Sequence, residues 1–173
     1  MKLRQPWTLM FVLPLLSWSV ATHSGEAQSS EIASSEDGKY FDKDDNPIYK
    51  IDEDGTVDWF TYSGFRRYHS ECHVCHGPDA LGSSFAPGLT ESLKTMDYEG
   101  FMEVVINGRE KIGASENSKM PSFGLNRNVI CYLDDIYVYV KARSDDALPR
   151  GRPKKREAKT DATREYENSC LED

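Results

Sequence analysis

The chain has 173 residues, a length that suits one compact domain with extensions rather than two full domains. With 21 basic against 29 acidic groups its formal charge is −8, which argues against nucleic-acid binding. The same acidity suits steering toward a partner that carries a positive docking patch.

Residues 1–21 read as an export signal. Lys2 and Arg4 precede an apolar stretch over 7–20, and Ser19-Val20-Ala21 offers the small residues that signal peptidase needs. The stretch is too short for a convincing membrane span, so no stable membrane insertion is expected. Its removal leaves 19 basic against 29 acidic groups, a net charge of −10. Beyond the membrane the compartment is oxidising, so a cysteine pair not held by a cofactor is free to form a disulfide.

Residues 22–37 are rich in Ser, Glu and Ala with no apolar period and predict a flexible leader. Over 38–62 the chain is acidic but carries Tyr40, Phe41, Tyr49, Trp59, Phe60 and Tyr62. Turn signals at Asp45-Asn46-Pro47 and Glu53-Asp54-Gly55 predict a small strand-turn-strand extension, packed on the core through those aromatics. The main domain is expected over 63–144, opening with a helix over 63–72. A second helix is capped by Asp97 and closed by Gly108. The last, capped by Asn126 or Asn128, reaches about Arg143, with Val129, Leu133, Ile136 and Val140 forming one apolar stripe. Residues 145–173 turn to Arg, Lys, Pro and Gly and predict a surface tail.

The chemistry is concentrated in Cys72-His73-Val74-Cys75-His76, the C-x-x-C-H arrangement of covalent haem attachment. Two thiols separated by two residues can reach the two vinyl groups of one porphyrin. The next residue then lies beneath the ring, where an imidazole nitrogen can bind iron. A thioredoxin-type pair would need a βαβ setting, and structural zinc would need two more ligands at paired spacing; neither is present. A sixth ligand must come from further along the chain. Met120, next to Pro121 in a polar loop that includes Gly113, Ala114, Ser115, Asn117 and Ser118, is preferred, because a thioether trans to histidine suits an electron carrier. Met96, Met102 and His69 are its rivals. Met102 sits at an apolar helical position that suits core packing, and His69 is expected to face away. With both axial positions filled by protein, only outer-sphere transfer of one electron remains, so no catalytic residue and no enzyme activity is expected.

Over 63–143 the chain resembles class I cytochromes c. Gly64 and Tyr68 stand eight and four residues before Cys72, where that family crosses its first and last helices, and Ile136, Tyr139 and Val140 look like the matching surface. Ala86-Pro87-Gly88-Leu89 resembles the family's proline turn. The resemblance implies an all-α fold around one covalent haem c, with the Pro87 carbonyl accepting a hydrogen bond from His76.

A closer resemblance, over 39–153, is to the four-cysteine c-type cytochromes tied to methanol metabolism. It is carried by His76-Gly77-Pro78-Asp79, Ser83-Ser84-Phe85-Ala86-Pro87 and Cys131-Tyr132-Leu133-Asp134-Asp135-Ile136-Tyr137. Ala80 stands where that family has Gly. The resemblance implies a periplasmic monomer that takes electrons from a PQQ-dependent alcohol dehydrogenase and passes them toward a cytochrome oxidase or another cytochrome c. It also implies a Cys131–Cys170 disulfide that pins the tail.

Two weaker signals carry bland readings. Asp42, Asp44, Asn46 and Glu53 mimic a calcium loop, but Pro47 replaces its glycine, so a solvated acidic hairpin is the better reading. The basic run over 150–156 reads as a solvated tail rather than a docking patch. The competing functions are a fixed haem subunit of a dehydrogenase complex, or a haem peroxidase or ligand sensor should the sixth site be open.

Overall fold

The computed structural model describes residues 32–112 and 117–172. The export signal, residues 22–31 of the leader, and Gly113, Ala114 and Ser115 lie outside the described residues.

Helices make the body. In chain order they are α1 (Trp59–Glu71), α2 (His73–His76), α3 (Leu89–Ser92), α4 (Tyr98–Asn107), α5 (Arg127–Ile130), α6 (Leu133–Ser144) and α7 (Asp161–Glu172). The strands are short: β1 (Ser34–Glu36), β2 (Lys39–Phe41), β3 (Pro47–Ile48), β4 (Thr56–Val57), β5 (Arg109–Ile112), β6 (Asn117–Met120) and β7 (Lys155–Arg156). Strands β1, β2 and β3 form an antiparallel sheet, β5 and β6 an antiparallel hairpin, and β4 pairs in parallel with β7.

The α1–α6 crossing organises the core. Tyr68 on α1 and Ile136, Tyr139 and Val140 on α6 are buried, as are Val129 and Leu133 of the apolar stripe. Burying an aliphatic or aromatic side chain of this size stabilises the fold by about 1.5–3 kcal/mol. The helices approach so closely that a Cβ on Gly64 would lie 1.8 Å from the Asp135 carbonyl oxygen. Only a residue without a side chain permits that crossing. Beneath it Asp135 is buried, and desolvation pushes its carboxyl up to about 8 despite a hydrogen bond from Ser63 and the charge of Lys39.

Several boundaries differ from the sequence expectation. Within the expected flexible leader Ser34–Glu36 form β1, because Asp37-Gly38 forms a two-residue turn with both φ angles positive (50° and 86°). Asp-Gly is a strong hairpin signal, and it lets β1 pair with β2. Helix α1 begins at Trp59 rather than 63, since the Asp58 carboxylate accepts from the Thr61 N–H at 2.8 Å. Asp97 and Gly108 bound α4 as expected. Asn126 caps only the short α5, and α6 starts after a break at Cys131-Tyr132.

The tail is not irregular. Leu148 is buried, β7 adds to β4, and α7 forms a twelve-residue helix. A disulfide between Cys131 and Cys170 fixes α7, with Cα atoms 5.8 Å apart. The Asp42 carboxylate is occupied by the N–H groups of Asp44 and Asn46, which makes the acidic loop a turn. No cluster of three or more metal-ligating side chains occurs among the described residues.

Candidate haem-binding site

Helix α1 runs into the Cys72–His76 segment almost without interruption. The Cys72 N–H donates to Tyr68 O at 2.8 Å, and the His76 N–H donates to Cys72 O at 3.0 Å. One helical turn therefore carries the whole motif, with residues 72, 75 and 76 clustered toward one side. Both thiols are free; Cys72 is partly buried, and that burial pushes its thiol up to about 12.

His76 is buried, and its Nδ1 lies 2.9 Å from the Pro87 carbonyl oxygen. A carbonyl only accepts, so Nδ1 must carry the proton. Nε2 is left with its lone pair for a metal. The loop that brings Pro87 back is tied at several points. Tyr68 Oη donates to Gly77 O at 2.6 Å, the Gly82 N–H donates to His76 O at 2.7 Å, and Ser83 Oγ donates to Cys75 O.

Met120 ends strand β6, opposite Arg109, so its surroundings are a hairpin rather than the irregular loop expected. The following residues are pinned to the end of α4. The Phe123 N–H donates to Val105 O and the Gly124 N–H to Ile106 O, both at 3.0 Å, and Ser122 Oγ donates to Ile106 O at 2.6 Å. Cys72 and Met120 both border the one apolar core.

The rivals of Met120 have other surroundings. Met96 and Met102 pack partly buried against the core. His69 turns its Nδ1 to Phe65 O at 2.8 Å and stacks on His73. Arg127, at the start of α5, donates to Cys170 O at 2.7 Å.

These residues fit a covalent haem. The imidazole tautomer is set, the two thiols are free, and large apolar side chains stand bare in the flanking segments. Val74 is 70% exposed within the motif, Phe85 77% in the loop after it, and Ile112 82% on the Met120 hairpin. A large apolar macrocycle is the kind of body that would cover such groups. Sequence reasoning met Asp79 only within the motif that carries the resemblance and did not foresee that it meets Arg143; both are buried beside the haem-attachment segment.

No protein-family model matches the chain. It is 52% identical over 136 residues to cytochrome c-553I of Paracoccus denitrificans, covering 79% of this chain but only 60% of that relative's length. It is 41% identical over 96 residues to cytochrome c-555 of Methylococcus capsulatus, covering 55% of this chain and 72% of the relative. Its fold superposes on the crystal structure of the c-type cytochrome XoxG from Methylobacterium extorquens AM1 with a TM-score of 0.76 and 49% identity, over 83% of this chain and 87% of that one. The chain belongs to the class I c-type cytochromes, a family of electron-transfer proteins that carry covalently bound haem c.

Proposed function

We propose that the protein is a periplasmic mono-haem carrier that accepts single electrons from a PQQ-dependent methanol or alcohol dehydrogenase and passes them toward a terminal oxidase. In this reading Cys72 and Cys75 would hold the haem covalently, and His76 Nε2 and Met120 Sδ would bind its iron. The observation that carries it is the His76 Nδ1–Pro87 O contact of 2.9 Å, which leaves the ring's other nitrogen with a lone pair free to bind a metal. Bound haem would supply a one-electron iron couple, whose potential a thioether ligand would raise.

The chain's own part is to hold geometry. Pro87 keeps the proton on Nδ1, and the hydrogen bonds after Met120 hold its hairpin to α4. Export is supported by the basic and apolar pattern of residues 1–21, and by a disulfide, which suits an oxidising compartment. No described helix is long and apolar enough to cross a membrane.

The oxidised protein should show the weak near-infrared band of methionine-to-ferric charge transfer, and Met120→Ala should abolish it. The reduced protein should take up carbon monoxide slowly; rapid uptake would refute a closed sixth site and favour a ligand-binding haem. Stopped-flow reduction by a purified quinoprotein dehydrogenase tests the donor. It should slow as salt rises, because screening shortens to about 8–10 Å near physiological ionic strength.

A further inference from the structure

The loop between His76 and Pro87 is held from outside the haem motif by one buried carboxylate. Asp79 lies three residues after His76, and its side chain is only 9% exposed. One carboxylate oxygen accepts from the Gly151 N–H at 2.8 Å and the other from Arg150 Nε at 3.1 Å. The Asp79 backbone carbonyl accepts from Arg143 Nε at 3.3 Å. Arg143, buried in the last turn of α6, also donates to Leu148 O. Three segments thus meet at one residue: the turn after the motif, the end of α6, and the start of the tail.

The backbone at this point needs an anchor. Asp79 and Ala80 are consecutive non-glycine residues at φ 60° and 63°. That left-handed region is unfavourable for a residue with a Cβ, above all for alanine, and it persists only where surrounding contacts enforce it. Pro87, which orients the imidazole, is reached through these two residues.

We propose that Asp79 is a positioning residue for His76, transmitting the hold of the C-terminal tail through the 77–88 loop to the Pro87–imidazole hydrogen bond. This rests on His76 being an axial ligand. A firm Nδ1–H···O bond raises the electron donation of the ring and favours ferric iron. Loosening the loop weakens that bond and favours the ferrous state. A Coulombic influence alone acts differently: deleting the Asp79 charge would raise the potential, whereas deleting the Arg150 charge would lower it. Positioning predicts that both substitutions raise it.

The test uses the haem-loaded full chain with Asp79→Ala and Arg150→Gln. In Asp79→Ala the oxidised-to-reduced equilibrium should shift toward reduced three- to tenfold, about 30–60 mV for one electron. Arg150→Gln should shift it the same way by up to threefold. In the reduced protein, hydrogen exchange of the His76 Nδ1 proton, followed by NMR, should quicken tenfold or more in Asp79→Ala, and measurably in Arg150→Gln. Opposite signs for the two variants, or unchanged proton exchange, would overturn the proposal. If Asp79→Ala does not mature, Arg150→Gln decides alone: a lowered or unchanged potential, or unchanged exchange, sinks it. A wild-type protein lacking a histidine-ligated spectrum would instead overturn the axial assignment beneath it.

Discussion

The α1–α6 crossing and the tail over 145–172 are both folded against the same body, but by different forces. The crossing is apolar and close, a matter of Gly64, Tyr68, Ile136, Tyr139 and Val140 filling space. The tail is held by polar and covalent ties. Lys155 pairs with Asp54 at 2.9 Å, and Arg156 lies over the Trp59 and Tyr62 rings at 5.1 and 4.7 Å. Exposed pairs of this kind contribute only about 0–1 kcal/mol each. The disulfide is the covalent tie among them, and the basic run reads as a clasp on the chain's own surface rather than a free solvated arm.

Breaking the crossing should cost most. Gly64→Ala drives a Cβ into the Asp135 backbone carbonyl, which no side-chain rotation can relieve. We expect a loss of at least about 4 kcal/mol, above the usual overpacking cost, measured by denaturant unfolding of the haem-loaded protein. A loss below about 1 kcal/mol would mean that the helices have room to part. Breaking the clasp should cost less. Cys170→Ser opens a bridge spanning 39 residues, with an expected loss of about 3 kcal/mol. Faster amide exchange should follow in α7 and β7, while α1 and α6 stay protected. Equal loosening of both regions would erase the distinction between them.

The smallest effect sharpens the comparison by charge. Burial raises the Asp135 carboxyl to about 8, so the folded state holds a proton that the unfolded chain releases near pH 4. Stability contributed by this group is then full below about pH 4 and falls as pH rises toward 8. Asp135→Asn should remove that slope and gain about 1–2 kcal/mol at pH 8, read as a flatter pH profile of unfolding. An unchanged profile would place the titration elsewhere.

The crossing was legible because Gly64 and Tyr68, eight and four residues before Cys72, resemble the class I family's crossing, and because the last helix carries an apolar stripe at helical period. The same holds for Asp97 and Gly108, whose cap roles need only their neighbours. The Asp37-Gly38 turn and the Asp58 cap also carried local signals, but they were overshadowed by the polar composition around them. The tail was illegible for a different reason. Strands β4 and β7 pair Thr56 with Lys155 and Val57 with Arg156, some hundred residues apart, and a two-residue strand has no periodicity of its own. Asp79 was hidden likewise, since its partners Arg143, Arg150 and Gly151 are brought to it only by the fold. At Met120 residue type suggested the ligand, whereas the hairpin around it depends on the pairing of β5 with β6.

The Cys131–Cys170 link has a consequence for survival against proteases. Trypsin-like proteases cut after Arg and Lys, and the exposed stretch containing Arg150, Arg152, Lys154 and Lys155 lies inside the loop that the bridge closes. A nick there leaves two polypeptides still joined through sulfur, so the severed piece is not lost by diffusion. Such a molecule would run as one band on a gel without reductant and as two bands with it.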